Sequence, residues 1–356
     1  MKRRREGILL LLLTVFLFAC GLGIAQNGRL VPAENRAVKL AAAARMQACM
    51  DAVKGYKSER GIPLHPGDLH QTGMLGEEFN GMTTSLGALE AKRTSANSDM
   101  AALAVELLQQ AGMQPGDRVG LGLSGSFPAL NLAMLSACAE LGLDTVCIAS
   151  IGSSTHGANN PGLTFPEMLS LLISDGLLPD SLHSATIGGD YDCGREMDGQ
   201  LREAAVERLE RRGVDLWREP DYQKNLQKRL EIYGEIACYV NVGGNLMSLG
   251  RQEDSIRTQG LIPPEAPLHP VDGNSGMLEL YHAQGLPVIH LLNLKRLTAD
   301  YGLAFDPVSL PEPGTSAVYY RISYPRLPAL LAVFSAGAVL IFERKRRRHD
   351  GTSARG

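Results

Sequence analysis

Short apolar segments alternate with helix-forming segments through the middle of this chain, and this alternation constrains the fold more than any other feature. Apolar runs predict strands at residues 118–123, 144–150, 184–187, 236–242 and 287–292, with a shorter one at 214–217. Apolar residues at helical spacing between these runs predict helices at residues 128–141, 166–175, 195–212, 221–233, 275–284 and 295–300. Strands that alternate with helices form right-handed βαβ units. We therefore predict an α/β fold whose Rossmann-like, mainly parallel sheet carries helices on both faces.

Apolar segments at both ends of the chain predict flanking N- and C-terminal transmembrane helices. Residues 8–25 are mostly apolar and follow a lysine and three arginines, and residues 327–342 are apolar and precede five cations at 344–348. Cationic clusters tend to stay on the cytoplasmic side of a membrane. Both termini are therefore expected in the cytoplasm of a cell-membrane protein, with the central domain outside. A cleaved signal peptide or lipidation at Cys20 remains an alternative for the first segment, and a buried core helix for the second.

The predicted organisation follows from these segments. It consists of a basic cytoplasmic end at residues 1–7, a transmembrane anchor or signal at 8–25, a helical stalk and loop-rich lead-in at 26–111, an extracytoplasmic α/β domain at 112–318, a transmembrane helix at 327–342 and a basic cytoplasmic tail at 343–356. Within the lead-in we predict helices at residues 36–56 and 98–111, and an ordered loop at 61–97.

Composition argues against several classes of function. The formal net charge is −3, the middle of the chain is acidic once the basic ends are set aside, and there is a single tryptophan. These features are atypical of a nucleic-acid surface. The six cysteines include no CxxC pair, which disfavours a zinc ribbon or a thioredoxin-type site. No metal site is predicted, the cofactor is left unknown, and disulfide pairing and oligomeric state stay open.

Four loops rich in small polar residues follow predicted strands, and in chain order they are residues 123–131, 151–161, 187–196 and 241–250. In parallel sheets ligands bind beyond the carboxyl ends of the strands. Ser124 or Ser126 in the first loop is a candidate nucleophile, and His156 in the second is a candidate general base. Ser126 also suits the N-cap of the following helix, and a lone histidine is often structural. The candidate ligand-binding residues are Lys92, Arg93, Thr94, Ser95, Gly125, Asn131, Asn159, Asp190, Asn241, Gly243 and Gly244. The cations among them would receive carboxylates by charge-assisted hydrogen bonds, although a solvated charge pair is the alternative.

Seven stretches carry a resemblance to a known family. They are residues 72–77, 83–87, 90–95, 124–131, 157–159, 241–244 and 287–293. In these the chain resembles the poly-γ-glutamate system protein family, which is found with the capsule-type poly-γ-glutamate synthesis machinery of bacteria. The resemblance implies a process and not a reaction, and it carries over no catalytic residue. Asn245 stands where a third consecutive glycine is expected.

The function predicted from the resemblance is that of a membrane-anchored accessory protein for the synthesis, export or tethering of extracellular poly-γ-glutamate. Its extracytoplasmic domain would bind the polymer or a γ-glutamyl group. One alternative is a Ser-dependent hydrolase or transferase that acts on γ-glutamyl amides, and another is a non-catalytic scaffold of the synthase complex. The expected partners are the membrane, poly-γ-glutamate or a glutamyl-containing ligand, and synthase components, with no nucleic acid.

Overall fold

The computed structural model describes residues 2–251 and 258–352. The chain divides into two compact units, which are described separately below. The first comprises Met1–Ala33 and Tyr320–Gly356, and the second comprises Glu34–Tyr319.

The elements are numbered in chain order. The helices are α1 (Lys2–Gln26), α2 (Arg36–Glu59), α3 (Leu89–Ser95), α4 (Asp99–Gln110), α5 (Pro128–Glu140), α6 (Phe165–Ser174), α7 (Gly199–Arg211), α8 (Tyr222–Tyr233), α9 (Leu246–Leu249), α10 (Met277–Ala283), α11 (Leu294–Tyr301) and α12 (Arg326–Thr352). The strands are β1 (Arg29–Pro32), β2 (Thr83–Ser85), β3 (Arg118–Leu123), β4 (Asp144–Ser150), β5 (Ser153–Ser154), β6 (Leu182–Thr186), β7 (Leu216–Trp217), β8 (Cys238–Val242), β9 (Gly260–Ile262), β10 (Val288–Leu291) and β11 (Tyr320–Ser323).

The first unit joins the two ends of the chain. Strand β1 pairs antiparallel with β11, in a register that runs from Arg29 opposite Ser323 to Pro32 opposite Tyr320. Helix α1 precedes β1, helix α12 follows β11, and the two helices contact each other.

The prediction of flanking transmembrane helices is wrong for this structure. A span needs about 20 mainly apolar residues. In the part of the chain that the structure describes, no helix has both the length and the hydropathy that crossing a membrane requires. Met1 and residues 353–356 of the predicted basic ends lie outside the described residues.

The second unit has an α/β architecture built on a seven-stranded mixed sheet. The strand order is β7-β6-β4-β3-β8-β10-β9. Every neighbouring pair is parallel except β10 and β9, which is antiparallel. The predicted strands 118–123 and 144–150 are confirmed as β3 and β4. The edge strand β9 was not predicted, and it makes the sheet mixed.

Helices pack on both faces of this sheet because strand side chains alternate between the faces. Val146 and Ile148 of β4 belong to a core cluster with residues of α8 and α10, such as Tyr233 and Tyr281. Between them, Cys147 faces the opposite side, near α5. Helices α2, α4 and α5 contact one another, and β9 contacts α4.

The strand order reverses between β3 and β8. After β3 the chain moves outward through β4, β6 and β7, and it then returns to β8 on the other side of β3. In open α/β sheets such a switch point marks the crevice in which ligands bind. The loops that follow β3 and β8 therefore flank the expected binding crevice.

Candidate functional site

The four predicted loops do meet at one edge of the sheet. Strands β6, β4, β3 and β8 are neighbours and run parallel, so the loops that follow them leave the same carboxyl edge. Helix α3, which lies within the predicted loop 61–97, adds Lys92 to this edge. The prediction of an unbroken loop there is wrong.

Lys92 is the centre of a polar cluster. Its side chain is only 3% exposed. Nζ donates to the Ser154 hydroxyl at 2.8 Å and to the Ser126 carbonyl, and it lies 3.6 Å from the centroid of the Phe127 ring. The lysine thus ties α3 to the loops that follow β3 and β4.

Burial without an acidic partner sets the protonation of Lys92. Desolvation disfavours the ammonium form and lowers the pKa of Lys92 to about 7. Its described contacts are a hydroxyl, a carbonyl and an aromatic ring, with no carboxylate among them. Near neutral pH, Nζ is therefore uncharged for a substantial fraction of the time and can accept a proton.

Three serines lie beside this lysine. The Ser154 backbone N–H donates to Oγ of Ser126 at 3.0 Å, and Oγ of Ser124 donates to the same atom at 3.1 Å. Ser124 and Ser154 are buried, whereas Ser126 is half-buried. The structure therefore brings together Lys92, Ser124 and Ser126 from the predicted set, and it adds Ser154.

The first loop is fixed by close backbone approaches. Asn131 of α5 donates from Nδ2 to the Ser124 carbonyl at 2.8 Å, so its side-chain amide holds the loop in place by a buried hydrogen bond. A Cβ on Gly125 would lie 2.8 Å from the Gly152 carbonyl oxygen, and one on Gly243 would lie 2.8 Å from Cβ of Ser124. Both glycines are required by packing, and Gly243 also adopts a φ of +94°.

Ser126 is not the N-cap of α5. The helix begins at the predicted Pro128, with Phe127 at the cap position and no side-chain cap bond. The Ser126 hydroxyl instead accepts the Ser154 N–H. The predicted cap is therefore wrong, and the hydroxyl is committed to the neighbouring loop.

His156 lies two residues after Ser154 and contacts His65. It adopts a φ of +61°, and its ring makes an edge contact with the His65 ring at 5.1 Å between centroids. Burial, and then the nearby His65, lower the pKa of His156. Its Nδ1 is buried without a hydrogen-bond partner, and no bond joins His156 to Ser124 or Ser126 within the described residues.

Most of the remaining predicted ligand residues have structural roles. Arg93 makes two 2.6 Å hydrogen bonds to the Asp306 carboxylate. This carboxylate occupies the guanidinium donors that were expected to bind a ligand. The Thr94 hydroxyl accepts the Asp306 N–H at 2.8 Å, and the Ser95 hydroxyl donates to the Lys92 carbonyl. These contacts anchor α3.

Asn159 is a clamp between two loops. Its Oδ1 accepts the Glu77 N–H at 2.9 Å, and its Nδ2 donates to the Glu77 carbonyl and to the Thr83 hydroxyl. The amide is fully occupied by protein groups. Asn159 therefore fixes the second loop against residues 77–83.

The third loop does not contribute its acids to the lysine cluster. Asp190 is exposed, and its backbone N–H donates to the Glu196 carboxylate. Asp192 is buried and pairs with Arg229 at 2.6 Å. Asp192 therefore forms a buried ion pair with a residue of α8.

The fourth loop contains a second buried polar group. Asn241 bonds through Nδ2 to the Gly243 carbonyl at 2.7 Å and lies 3.0 Å from Nδ1 of His290. Burial lowers the pKa of His290 to about 4, which leaves the ring neutral, and its Nε2 has no partner in the described part of the chain. Gly244 is exposed beside Leu292.

Sequence reasoning missed Ser154 and His290. Ser154 stands in the second loop, where tandem serines occur shortly after a strand, and this was the available signal. The pairing of Ser154 with Lys92 depends on a contact between segments that are distant in sequence. His290 lies inside a predicted strand, where nothing in the local pattern distinguishes it.

No protein-family model, curated protein or solved structure matches this chain. The resemblance to the poly-γ-glutamate system family therefore stays a prediction. In the described ranges, no group of three or more acidic, histidine or cysteine side chains is arranged to hold a metal ion.

Proposed function

We propose that this protein is an accessory factor of extracellular poly-γ-glutamate production that cleaves or transfers γ-glutamyl amide bonds with a Ser154–Lys92 pair. The process comes from the family resemblance, and the chemistry comes from the site. Association with the synthase components and action at the cell surface belong to the same proposal.

One observation carries the choice of catalysis over polymer binding. Nζ of Lys92 lies 2.8 Å from Oγ of Ser154, at a site where burial lowers the lysine pKa to about 7. A lysine binds a carboxylate most strongly as the ammonium ion, and Lys92 loses that charge in part near neutral pH. A general base has instead a pKa near the operating pH and lies within hydrogen-bond reach of the proton that it removes.

The reaction follows from this geometry. Uncharged Lys92 takes the hydroxyl proton of Ser154, and Oγ attacks the γ-carbonyl carbon. When the C–N bond breaks, the leaving amine takes that proton from Nζ, and a γ-glutamyl ester of Ser154 remains. Water or the amino group of a second chain then attacks this ester and gives a proton to Nζ. Ser154 leaves with that proton, which completes hydrolysis or transfer.

The test is chain length after incubation of the purified protein with poly-γ-glutamate. We expect the wild-type protein to change the length distribution. Ser154→Ala and Lys92→Met should reduce the rate by about 100-fold or more, as is typical for loss of a nucleophile or a general base. A fluorophosphonate should label Ser154.

Two further variants make the test specific. Lys92→Arg keeps the positive charge but cannot act as a base, because guanidinium stays protonated. Retained activity in Lys92→Arg, with intact folding, would exclude the base role. Ser136→Ala removes another buried serine hydroxyl, on α5, and should leave the rate unchanged.

A further inference from the structure

A separate cavity lies behind the second loop. It has a volume of about 150 Å³, and its wall includes Lys57, Ile62, Leu64, His65, Leu75 and Glu77. We call it the Lys57 cavity. A water molecule occupies about 30 Å³ in the liquid, so the cavity has room for one small organic molecule.

Both signs of charge are present on its wall. Lys57, at the end of α2, is 2% exposed and donates from Nζ to the Leu75 carbonyl at 2.7 Å. An ammonium group has three donors, so the remaining two are available to a ligand. Glu77 is exposed, and its carboxylate accepts from the side chain of Asn160 at 2.9 Å.

His65 adds a further donor. The Gly67 N–H donates to Nδ1 of His65 at 2.9 Å, which makes Nδ1 an acceptor and leaves the proton of the neutral ring on Nε2. The rest of the wall is apolar, with Ile62, Leu64 and Leu75 among its residues. A buried ammonium, an imidazole N–H and a carboxylate around an apolar wall suit a zwitterion with an aliphatic body.

The second loop connects the cavity to the polar cluster around Lys92. His65 lines the cavity and contacts His156, which lies two residues after Ser154. Two residues of extended chain span at most about 7 Å. Gly76 also packs directly on the Gly157 carbonyl, so the cavity wall and the loop share one interface.

We propose that the Lys57 cavity binds the α-amino-acid head of an amino-terminal γ-glutamyl residue, with the α-carboxylate on Lys57 and His65 and the α-ammonium on Glu77. This inference rests on the proposed function, because it assigns that reaction to the amino end of the chain. In a γ-linked polymer only the amino-terminal residue carries both a free α-ammonium and an α-carboxylate. The protein would therefore be exo-acting: it would cleave γ-glutamyl residues from the amino end of the polymer.

The test is calorimetric binding to the full-length protein in the Ser154→Ala background, with γ-L-glutamyl-L-glutamate as the probe. N-acetylation of the probe removes the ammonium, and we expect it to weaken binding by about tenfold or more, as loss of a charge-assisted hydrogen bond does. Glu77→Gln should weaken binding of the free dipeptide by a similar factor and leave binding of the acetylated dipeptide unchanged. Glu78→Gln, at the adjacent exposed carboxylate, is the matched control and should change neither.

Separate results decide the two proposals. Equal affinity for the free and acetylated dipeptides, or an equal effect of Glu77→Gln on both, would overturn the cavity assignment. Binding that follows the expected pattern, without any polymer cleavage by the wild-type protein, would support the cavity and refute the catalytic function. Cleavage of N-acetylated polymer at the same rate as free polymer would support catalysis and refute recognition of the amino end.

Discussion

Replacing Lys92 by methionine is expected to change how the free energy of unfolding depends on pH. The folded-state pKa of Lys92 is about 7, below the value of about 10.4 for a lysine in an unfolded chain. Between these values the unfolded chain holds the proton and the folded protein does not, so the free energy of unfolding rises with pH. From pH 7 to pH 10 the gain from this one group is about 3 to 4 kcal/mol.

The assay is urea denaturation of the wild-type protein and Lys92→Met at pH 7, 8, 9 and 10. Lys57 has a pKa lowered to about 8 and contributes in the same direction, but it is present in both proteins and cancels in the difference. We expect the difference in the free energy of unfolding, wild type minus variant, to rise steadily from pH 7 to pH 10, by most of the calculated gain of about 3 to 4 kcal/mol. Lys224→Met, at an exposed position, controls for the loss of one positive charge. A wild-type-minus-variant difference that stays constant from pH 7 to pH 10 would refute the buried, unpaired state of Lys92.

Four other outcomes are expected. The rate of polymer cleavage should rise as pH increases through about 7, because deprotonation of Lys92 supplies the base; a rate that falls through this range in a pH profile would contradict the mechanism. Arg229→Met should destabilise the protein by about 3–5 kcal/mol in urea denaturation, since it leaves the Asp192 carboxylate buried and unpaired, whereas a near-zero effect would contradict the ion pair. Gly76→Ala should cost about 1–3 kcal/mol in the same assay, because the added methyl group meets the Gly157 carbonyl, and unchanged stability would show that the second loop yields. A thiol reagent should modify half-buried Cys193 before the buried cysteines of the second unit, and Cys193→Ser should remove the fast phase; a fast phase that survives would contradict the burial of the others.

The parts of the fold that depend on local pattern were predictable. Strands β3 and β4 match the predicted residues because buried parallel strands require apolar runs between turn signals. The edge strand β9 has three residues, which is too short for any periodicity to appear. Its antiparallel pairing with β10 depends on tertiary context alone.

The sequence predicts where the candidate site lies, but it does not predict most of the contacts within the site. The serines of the first loop follow β3, and the topology of a parallel sheet brings them to the edge where ligands bind. The burial of Lys92 arises when α3 docks on two loops far along the chain, which no local pattern encodes. Arg93 was expected to be available to a ligand, but it pairs with Asp306, which is more than 200 residues later in the sequence.

The pairing of β1 with β11 has a consequence for how the protein can be rebuilt. Pro32 lies opposite Tyr320, about 5 Å away in an antiparallel pair, and the second unit begins and ends close by in the chain, at Glu34 and Tyr319. A few residues would bridge that gap. The second unit is therefore suited to circular permutation, in which Glu34 and Tyr319 are joined by a short linker and new ends are opened at an exposed turn such as that at Gly213, and to transfer as a cassette into the loop of another protein.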